Sequence, residues 1–288
     1  MFHGCFNMVL RSSRAAVYCK CVETKADCGK TAMIRRTDIE ARLATRRFGR
    51  PLYWYDRIDS TNRELLEWAV RGAEEGTLLV ADEQTAGRGR RGRQWIAPPG
   101  TGLLMSLLVR PRQAVGLLPL MTGAVLAETI EAVSGAHATV KWPNDVLIGE
   151  RKVAGVLVET VIQRGQQAAV IGMGINVNMQ AHDFERVGMP ATSLRLETGQ
   201  IWEREDLLAA LLPRLETAYD ALQAGAWSLD AWRARAPMLG KPITVFEEED
   251  AWYGVALDVA EDGALLVQTE EGVRAIYAAD VRVRFPSS

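Results

Sequence analysis

Apolar positions along this chain recur with two periods, near 3.6 and near 2, and the switches between them lay out the elements. Residues 1–33 show no sustained apolar period, whereas 34–48 would form a short amphipathic helix with Ile39 and Leu43 on one face. Gly49-Arg50-Pro51 breaks it, and Leu52–Ile58, with Tyr53, Trp54 and Tyr55, reads as a strand. Thr61 and Glu64 have the capping-box spacing, and Leu65, Leu66, Trp68 and Ala69 follow at helical intervals up to Gly72. A short strand over Thr77–Ala81 gives way to a long loop, Asp82–Gly102, rich in Gly, Arg and Pro. Leu103–Val109 reads as a buried strand and Val115–Val133 as a helix stopped by Ser134-Gly135. Strands follow at Thr139–Trp142, Val146–Ile148, Val153–Ile162 and Ala168–Val177, then helices near Glu203–Gln223 and Leu229–Arg235. Pro213 should bend or interrupt the first of those helices, because it removes a backbone donor from the ladder.

After Pro237 and Gly240 the pattern changes to short alternating runs at about 241–246, 252–259, 264–269, 273–277 and 281–285, split by turn residues. That spacing predicts a small antiparallel barrel. The division expected is an extension over 1–45, poorly ordered or helical, a main α+β domain over 46–237, and a small barrel over 238–288. At 288 residues the chain has length for such a pair.

Composition narrows the classes. Hydrophobic residues make up 48% and charged residues 24%, as in folded globular proteins, and the net charge of -2 gives the whole chain no electrostatic case for nucleic acid. Basic residues do concentrate in 1–50 and acidic ones in 238–288. No apolar run reaches the ~18 residues a bilayer span needs, and Arg11 and Arg14 cut off a secretory signal after Leu10. A cytoplasmic protein without membrane contact is expected. The four cysteines, Cys5, Cys19, Cys21 and Cys28, fit no standard zinc spacing, and Met33 is an alternative start.

Three segments carry candidate chemistry. Gln84–Trp95 reads QTAGRGRRGRQW, with Gly87, Gly89 and Gly92 alternating with Arg88, Arg90, Arg91 and Arg93. Glycine lets backbone N–H groups converge on an anion, and arginine adds forked donors for carboxylate or phosphate. No G-K-[ST] follows, so it is not a Walker loop. The second segment is Lys141-Trp142-Pro143-Asn144-Asp145 with Arg151-Lys152-Val153-Ala154-Gly155 after it, which predicts a hairpin bringing Lys152 to the edge of a cleft. The third, Gly172-Met173-Gly174-Ile175-Asn176-Val177-Asn178, is a strand whose glycines let a ligand approach the backbone.

Ser60-Thr61-Asn62, GRGRRGR at 87–93, KWPND at 141–145, RKVAG at 151–155 and GMGINVN at 172–178 together resemble the biotin–protein ligase family, from about residue 50 to the C-terminus. The resemblance implies a central mixed sheet flanked by helices, related to class II aminoacyl-tRNA synthetases, and an SH3-like C-terminal domain. It implies a ligase that activates biotin with ATP and Mg²⁺ as biotinyl-AMP and transfers it to a lysine of a carrier protein. The usual carrier is the biotin carboxyl carrier domain of a carboxylase such as acetyl-CoA carboxylase. Biotin would be held by Ser60, Thr61, Asn62, Gln84, Gly87, Arg88, Gly89, Arg90, Lys152 and Gly155. ATP or the adenylate would meet Arg88, Arg90, Arg93, Trp95, Lys141, Asn144 and Asn176, with Trp95 on the adenine side. Arg90, Lys152, Asp145 and Lys141 would be catalytic, and Asp145 would organise Mg²⁺ or the incoming amine. Bifunctional members carry an N-terminal DNA-binding winged helix. Here residues 1–50 lack helix-turn-helix periodicity, so a ligase without specific DNA binding is expected, with homodimerisation left open. Two alternatives use the same residues: a lipoate–protein ligase with the same adenylate chemistry, and an RNA-binding module with Trp95 as stacking platform.

Overall fold

Seven of the apolar runs pair into one mixed sheet in the computed structural model, which describes residues 39–283 apart from 40, 164, 186, 248, 249 and 278. The four cysteines and Met33 lie outside the described residues. The strands are β1 (Leu52–Ile58), β2 (Leu78–Gln84), β3 (Gly102–Val109), β4 (Ala138–Lys141), β5 (Asp145–Ile148), β6 (Arg151–Gln163) and β7 (Gln166–Asn176). Their order is β1-β2-β3-β7-β6-β5-β4, with β1 and β2 parallel and the remaining pairs antiparallel. β3 is buried at every position, as expected for a strand covered on both faces.

One face is covered by α1 (Thr61–Val70), whose Leu65 and Ala69 pack with Leu79, Leu108, Ala168 and Val170. The main core lies across the other face under α2 (Leu118–Ser134) and α4 (Arg204–Gln223). The stretch Val115–Ser134 is long and apolar enough to cross a membrane, but 67% of its most apolar window is buried inside the protein. It is a core helix here. Two short helices, α3 (Leu194–Thr198) and α5 (Asp230–Arg233), flank these elements.

β8 (Pro242–Glu247), β9 (Asp250–Val259), β10 (Leu265–Thr269), β11 (Gly272–Ile276) and β12 (Asp280–Val283) form a second, antiparallel sheet in the order β11-β10-β9-β8-β12. Its buried Ile243, Val245, Ala256, Val259 and Leu265 are continuous with the main core. Trp142 pins the junction: it is 2% exposed, and its Nε1 donates to the carbonyl of Gly263 at 3.0 Å. At Gly116 a Cβ would run into the backbone oxygen of Asp262, so only glycine permits this approach of turn to helix.

Three expectations need correction. Asp82, Glu83 and Gln84 belong to β2 and not to the loop, because β1 supplies the pairing (Arg57 with Glu83, Ile58 with Gln84) although the side chains are polar. Pro213 does not interrupt α4: Leu207, Leu208, Leu211, Leu212 and Leu215 are buried on both sides of it, and that packing outweighs one lost bond. The short α3, capped by Ser193 accepting from Leu196 N, had no counterpart in the sequence pattern.

Candidate active site

The N-terminus of α1 points a set of small polar side chains at the sheet. Ser60 is the N-cap and accepts from Arg63 N. Thr61 donates from both its N–H (2.8 Å) and its hydroxyl (3.1 Å) to Gln84 Oε1 at the end of β2. Ser106 on β3, fully buried, lies 2.7 Å from Thr61 Oγ1 and 2.5 Å from Asn62 Oδ1. Asn62 in turn donates to Leu157 O at 3.2 Å and to Glu159 at 3.0 Å, both on β6. It sits where Gly172 on β7 has no side chain, because a Cβ there would overlap its amide. The result is a polar wall of fixed donors and acceptors, shaped to read a small ring bearing both kinds of group.

Residues 87–95 fold back on themselves. Trp95 N donates to Gly87 O at 3.0 Å and Gly89 N to Arg93 O at 2.7 Å, while Arg91 and Gly92 turn the chain with left-handed φ of 54° and 71°. The hairpin is tied at both ends. Arg88 pairs with Glu159 at 2.9 Å, Arg91 donates to Phe246 O at 3.0 Å, and Arg93 pairs with Asp280 of β12. Trp95 lies on the glycines of two neighbouring strands: Gly155 and Gly174 face each other across β6 and β7, and a Cβ on either would press into the indole. Its Nε1 is buried with no hydrogen-bond partner among the described residues, a donor still to be used.

Cations gather at the far end of the same cavity, whose volume is about 1110 Å³. Lys152 pairs with Asp145 at 2.5 Å and holds its ammonium 5.3 Å from the Trp95 ring. Arg90 donates to Asn144 Oδ1 at 3.4 Å, and burial pushes its guanidinium below the usual arginine range. Burial likewise lowers the Lys141 ammonium, against the pull of Asp145, while Lys152 and Arg282 lower it further. Among the described residues Lys141 has no hydrogen-bond or ion-pair partner. Lys241 and Arg282 from the small domain also line the cavity, as do Phe184, Val187, Met189 and Pro190 after β7. The cations lining this cavity, among them Arg90, Lys141, Lys152, Lys241 and Arg282, outnumber its carboxylates Asp145, Glu150 and Asp280, so the site suits a polyanion.

The chain matches the Biotin/lipoate A/B protein ligase family over residues 54–176 and the Biotin protein ligase C terminal domain over 238–284. The bifunctional ligase/repressor BirA of Bacillus subtilis is 34% identical over 261 residues, 88% of this chain and 80% of that protein. The biotin--[acetyl-CoA-carboxylase] ligase of Paracoccus denitrificans is 34% identical over 78% of this chain and 97% of that protein. Among solved structures, the biotin protein ligase from Aquifex aeolicus in complex with biotin and ATP superposes with a TM-score of 0.71 at 32% identity, covering 81% of this chain and 99% of that one. The chain belongs to the biotin protein ligase family.

As a biotin protein ligase it has the mixed sheet, flanking helices and C-terminal antiparallel sheet that the sequence motifs implied. Ser60, Thr61, Asn62, Gln84, Arg88, Gly89, Arg90, Arg93, Trp95, Lys141, Asn144, Asp145, Lys152, Gly155 and Asn176 all line this cavity. Gly87 is buried and lines a smaller pocket with Gln84, Gln94 and Trp95 instead, with Trp95 O at its Cβ position. Their partners refine the picture. Trp95 rests on Gly155, among the residues assigned to biotin. Arg93 is engaged by Asp280. Asn144 Nδ2 is spent on Val156 O at 2.7 Å. Asn176 is 5% exposed and donates to Lys152 O at 3.4 Å and Thr192 O at 2.9 Å, which joins β6 to the loop before α3. A half-buried Trp95 seated on Gly155 and Gly174, with Arg88 and Arg93 held by Glu159 and Asp280, does not form the open stacking surface of an RNA module.

Sequence reasoning missed Ser106, Glu159, Asp280 and Arg282. For two of them a signal existed: one hydroxyl inside LLMSLLV and one carboxylate inside VLVETV are polar groups in otherwise apolar strands. Asp280 and Arg282 had none, because only the docking of β12 brings them to the cavity.

Proposed function

We infer that the named residues divide the work of a biotin protein ligase, which joins biotin to ATP and then to a lysine of a biotin-carrier protein, between the two ends of one cavity. The observation that carries this is the meeting of a neutral hydrogen-bonding wall (Thr61, Asn62, Gln84, Ser106) with an excess of cations (Arg90, Lys141, Lys152) under one folded hairpin. The ureido ring would sit against the wall, and the valeryl chain would run past Gly155 and Trp95 towards Lys152.

A carboxylate is a poor electrophile, so its oxygen first attacks the α-phosphorus of ATP and pyrophosphate leaves. Arg90, Lys141 and Lys152 offset the charges that crowd together in that step. Asp145, Glu150 and Asp280 are carboxylates lining the cavity, and among the described residues no group of three or more His, Cys, Asp or Glu could hold a metal ion. This donor set fits a Mg²⁺ that arrives on the phosphates, with Asp145 as its protein contact, and supplies further charge neutralisation when bound. In the second step the acceptor amine attacks the acyl carbon and AMP leaves. A free lysine is neutral only about once in a few thousand at pH 7, and Asp145, released as Lys152 turns to the AMP phosphate, would take the proton. The hairpin excludes water from the adenylate meanwhile.

The acceptor proposed is the biotin carboxyl carrier domain of a carboxylase such as acetyl-CoA carboxylase, in the cytoplasm. We place the domain division at 237/238 and assign no DNA-binding role, with homodimerisation to be read from sedimentation.

Incubation with biotin, MgATP and a carrier domain, followed by mass spectrometry, tests the reaction: biotinyl-AMP and a carrier heavier by one biotinyl group are expected, and absence of both refutes it. Lipoate in place of biotin should give no ATP–pyrophosphate exchange. Substituting Arg90 should let biotinyl-AMP escape into solution; normal retention would count against the role given to it. Asp145→Ala should slow transfer from preformed biotinyl-AMP, and an unchanged rate would remove Asp145 from the second step.

A further inference from the structure

Glu159 is a half-buried carboxylate on the cavity side of β6, and two otherwise separate structures meet on it. Its Oε1 pairs with Arg88 at 2.9 Å, at the start of the hairpin, and its Oε2 lies 3.3 Å from the same guanidinium. Oε2 also accepts from Asn62 Nδ2 at 3.0 Å, and Asn62 belongs to the polar wall through Ser106 and Thr61. The strand register makes this junction. Leu157 faces Gly172 and Glu159 faces Val170 across β6 and β7, so Asn62 drops into the space over Gly172 and meets Glu159 two pairs further on, on the same face. From Gln84 to Arg88 there is thus an unbroken chain of polar contacts: Gln84, Thr61, Ser106, Asn62, Glu159, Arg88.

Resting on the ligase reading above, we propose that Glu159 is a positioning residue that couples occupancy of the ring pocket to closure of the hairpin. A ring that fixes Asn62 and Thr61 also fixes the carboxylate that receives Arg88. Conversely, a hairpin docked on Glu159 holds Asn62 in place for the ring. The other hairpin anchors, Arg91 on Phe246 O and Arg93 on Asp280, lead to the C-terminal sheet and not to this wall. Loss of Glu159 therefore weakens the biotin end selectively.

The experiment compares wild type, Glu159→Gln, Arg88→Gln and the double variant, measuring KM for biotin, KM for ATP and the rate at which biotinyl-AMP escapes. Glutamine keeps an acceptor for Asn62 but loses the ion pair. Since Arg88 is 47% exposed, the pair is screened, and an effect of about three-fold is expected on biotin KM and on escape. ATP KM should stay within error. In the Arg88→Gln background the Glu159→Gln change should do nothing more, because it acts through Arg88. Equal effects of Glu159→Gln in both backgrounds, an unchanged biotin KM, or an equal rise in ATP KM would each overturn the proposal. Should Glu159→Gln accumulate poorly, Arg88→Gln reads the same contact from the hairpin side: a biotin-selective rise supports the proposal and none overturns it. Wild type without biotin-dependent ATP–pyrophosphate exchange would instead remove the ligase reading itself.

Discussion

The Lys141 ammonium forms no ion pair among the described residues, and burial lowers it from the usual lysine range against the pull of Asp145. A lowered folded value means the cation is lost at a lower pH than for an exposed lysine, and with it one contact to phosphate. The alkaline limb of kcat/KM for ATP should therefore begin below the pH expected of an ordinary lysine, and Lys141→Arg should move it upward. A limb at the same pH in both proteins would show that Lys141 does not meet the nucleotide. Gly174 is a second residue with a sharp consequence, because a methyl group there overlaps the six-membered ring of Trp95. Gly174→Ala should raise biotin KM at least ten-fold, since the indole must leave its seat, while the melting temperature changes little. Calorimetry alongside kinetics separates the two.

At the scale of elements, the hairpin and α4 show opposite solutions to local strain. The hairpin tolerates Arg91 at φ 54° because Gly92 shares the turn and the arginine is tied to Phe246 O. α4 tolerates Pro213 because buried leucines on both sides hold the helix to the sheet. Pro213→Ala should therefore stabilise the protein, by about 1–3 kcal/mol in denaturant titration, through a recovered helix bond. The same helix carries Glu216, 6% exposed, whose carboxylate accepts from the N–H groups of Arg46 (2.9 Å), Arg47 (2.8 Å) and Phe48 (3.1 Å). Glu216→Ala leaves three donors unanswered and should cost about 3 kcal/mol by the same measurement. Neither result depends on catalysis.

For the whole molecule, the small C-terminal sheet completes the site. It shares the main core, closes on Trp142 and Gly116, and delivers Asp280 to the hairpin and Arg282 to the cation cluster. Gly116→Val should push the Asp262 turn away; a several-fold rise in ATP KM and faster proteolysis between Pro237 and Gly240 are expected, with biotin binding little altered. Equal protease resistance would show that the junction does not govern the site.

What the sequence determined by itself was local. The period of its apolar residues set nearly every strand and helix, and glycine, arginine and asparagine strings named the residues that now line one cavity. Those signals are legible because periodicity and backbone freedom are properties of a few neighbouring residues. The partners came from the packing of distant segments. Whether Asn176 faces a nucleotide or ties Lys152 to Thr192, whether Asp82–Gln84 is loop or strand, and whether Trp142 serves ligand or domain junction all depend on segments far away in the chain. A side chain's chemistry is written at its own position, but what it meets is fixed by strand register and by the docking of one sheet on another.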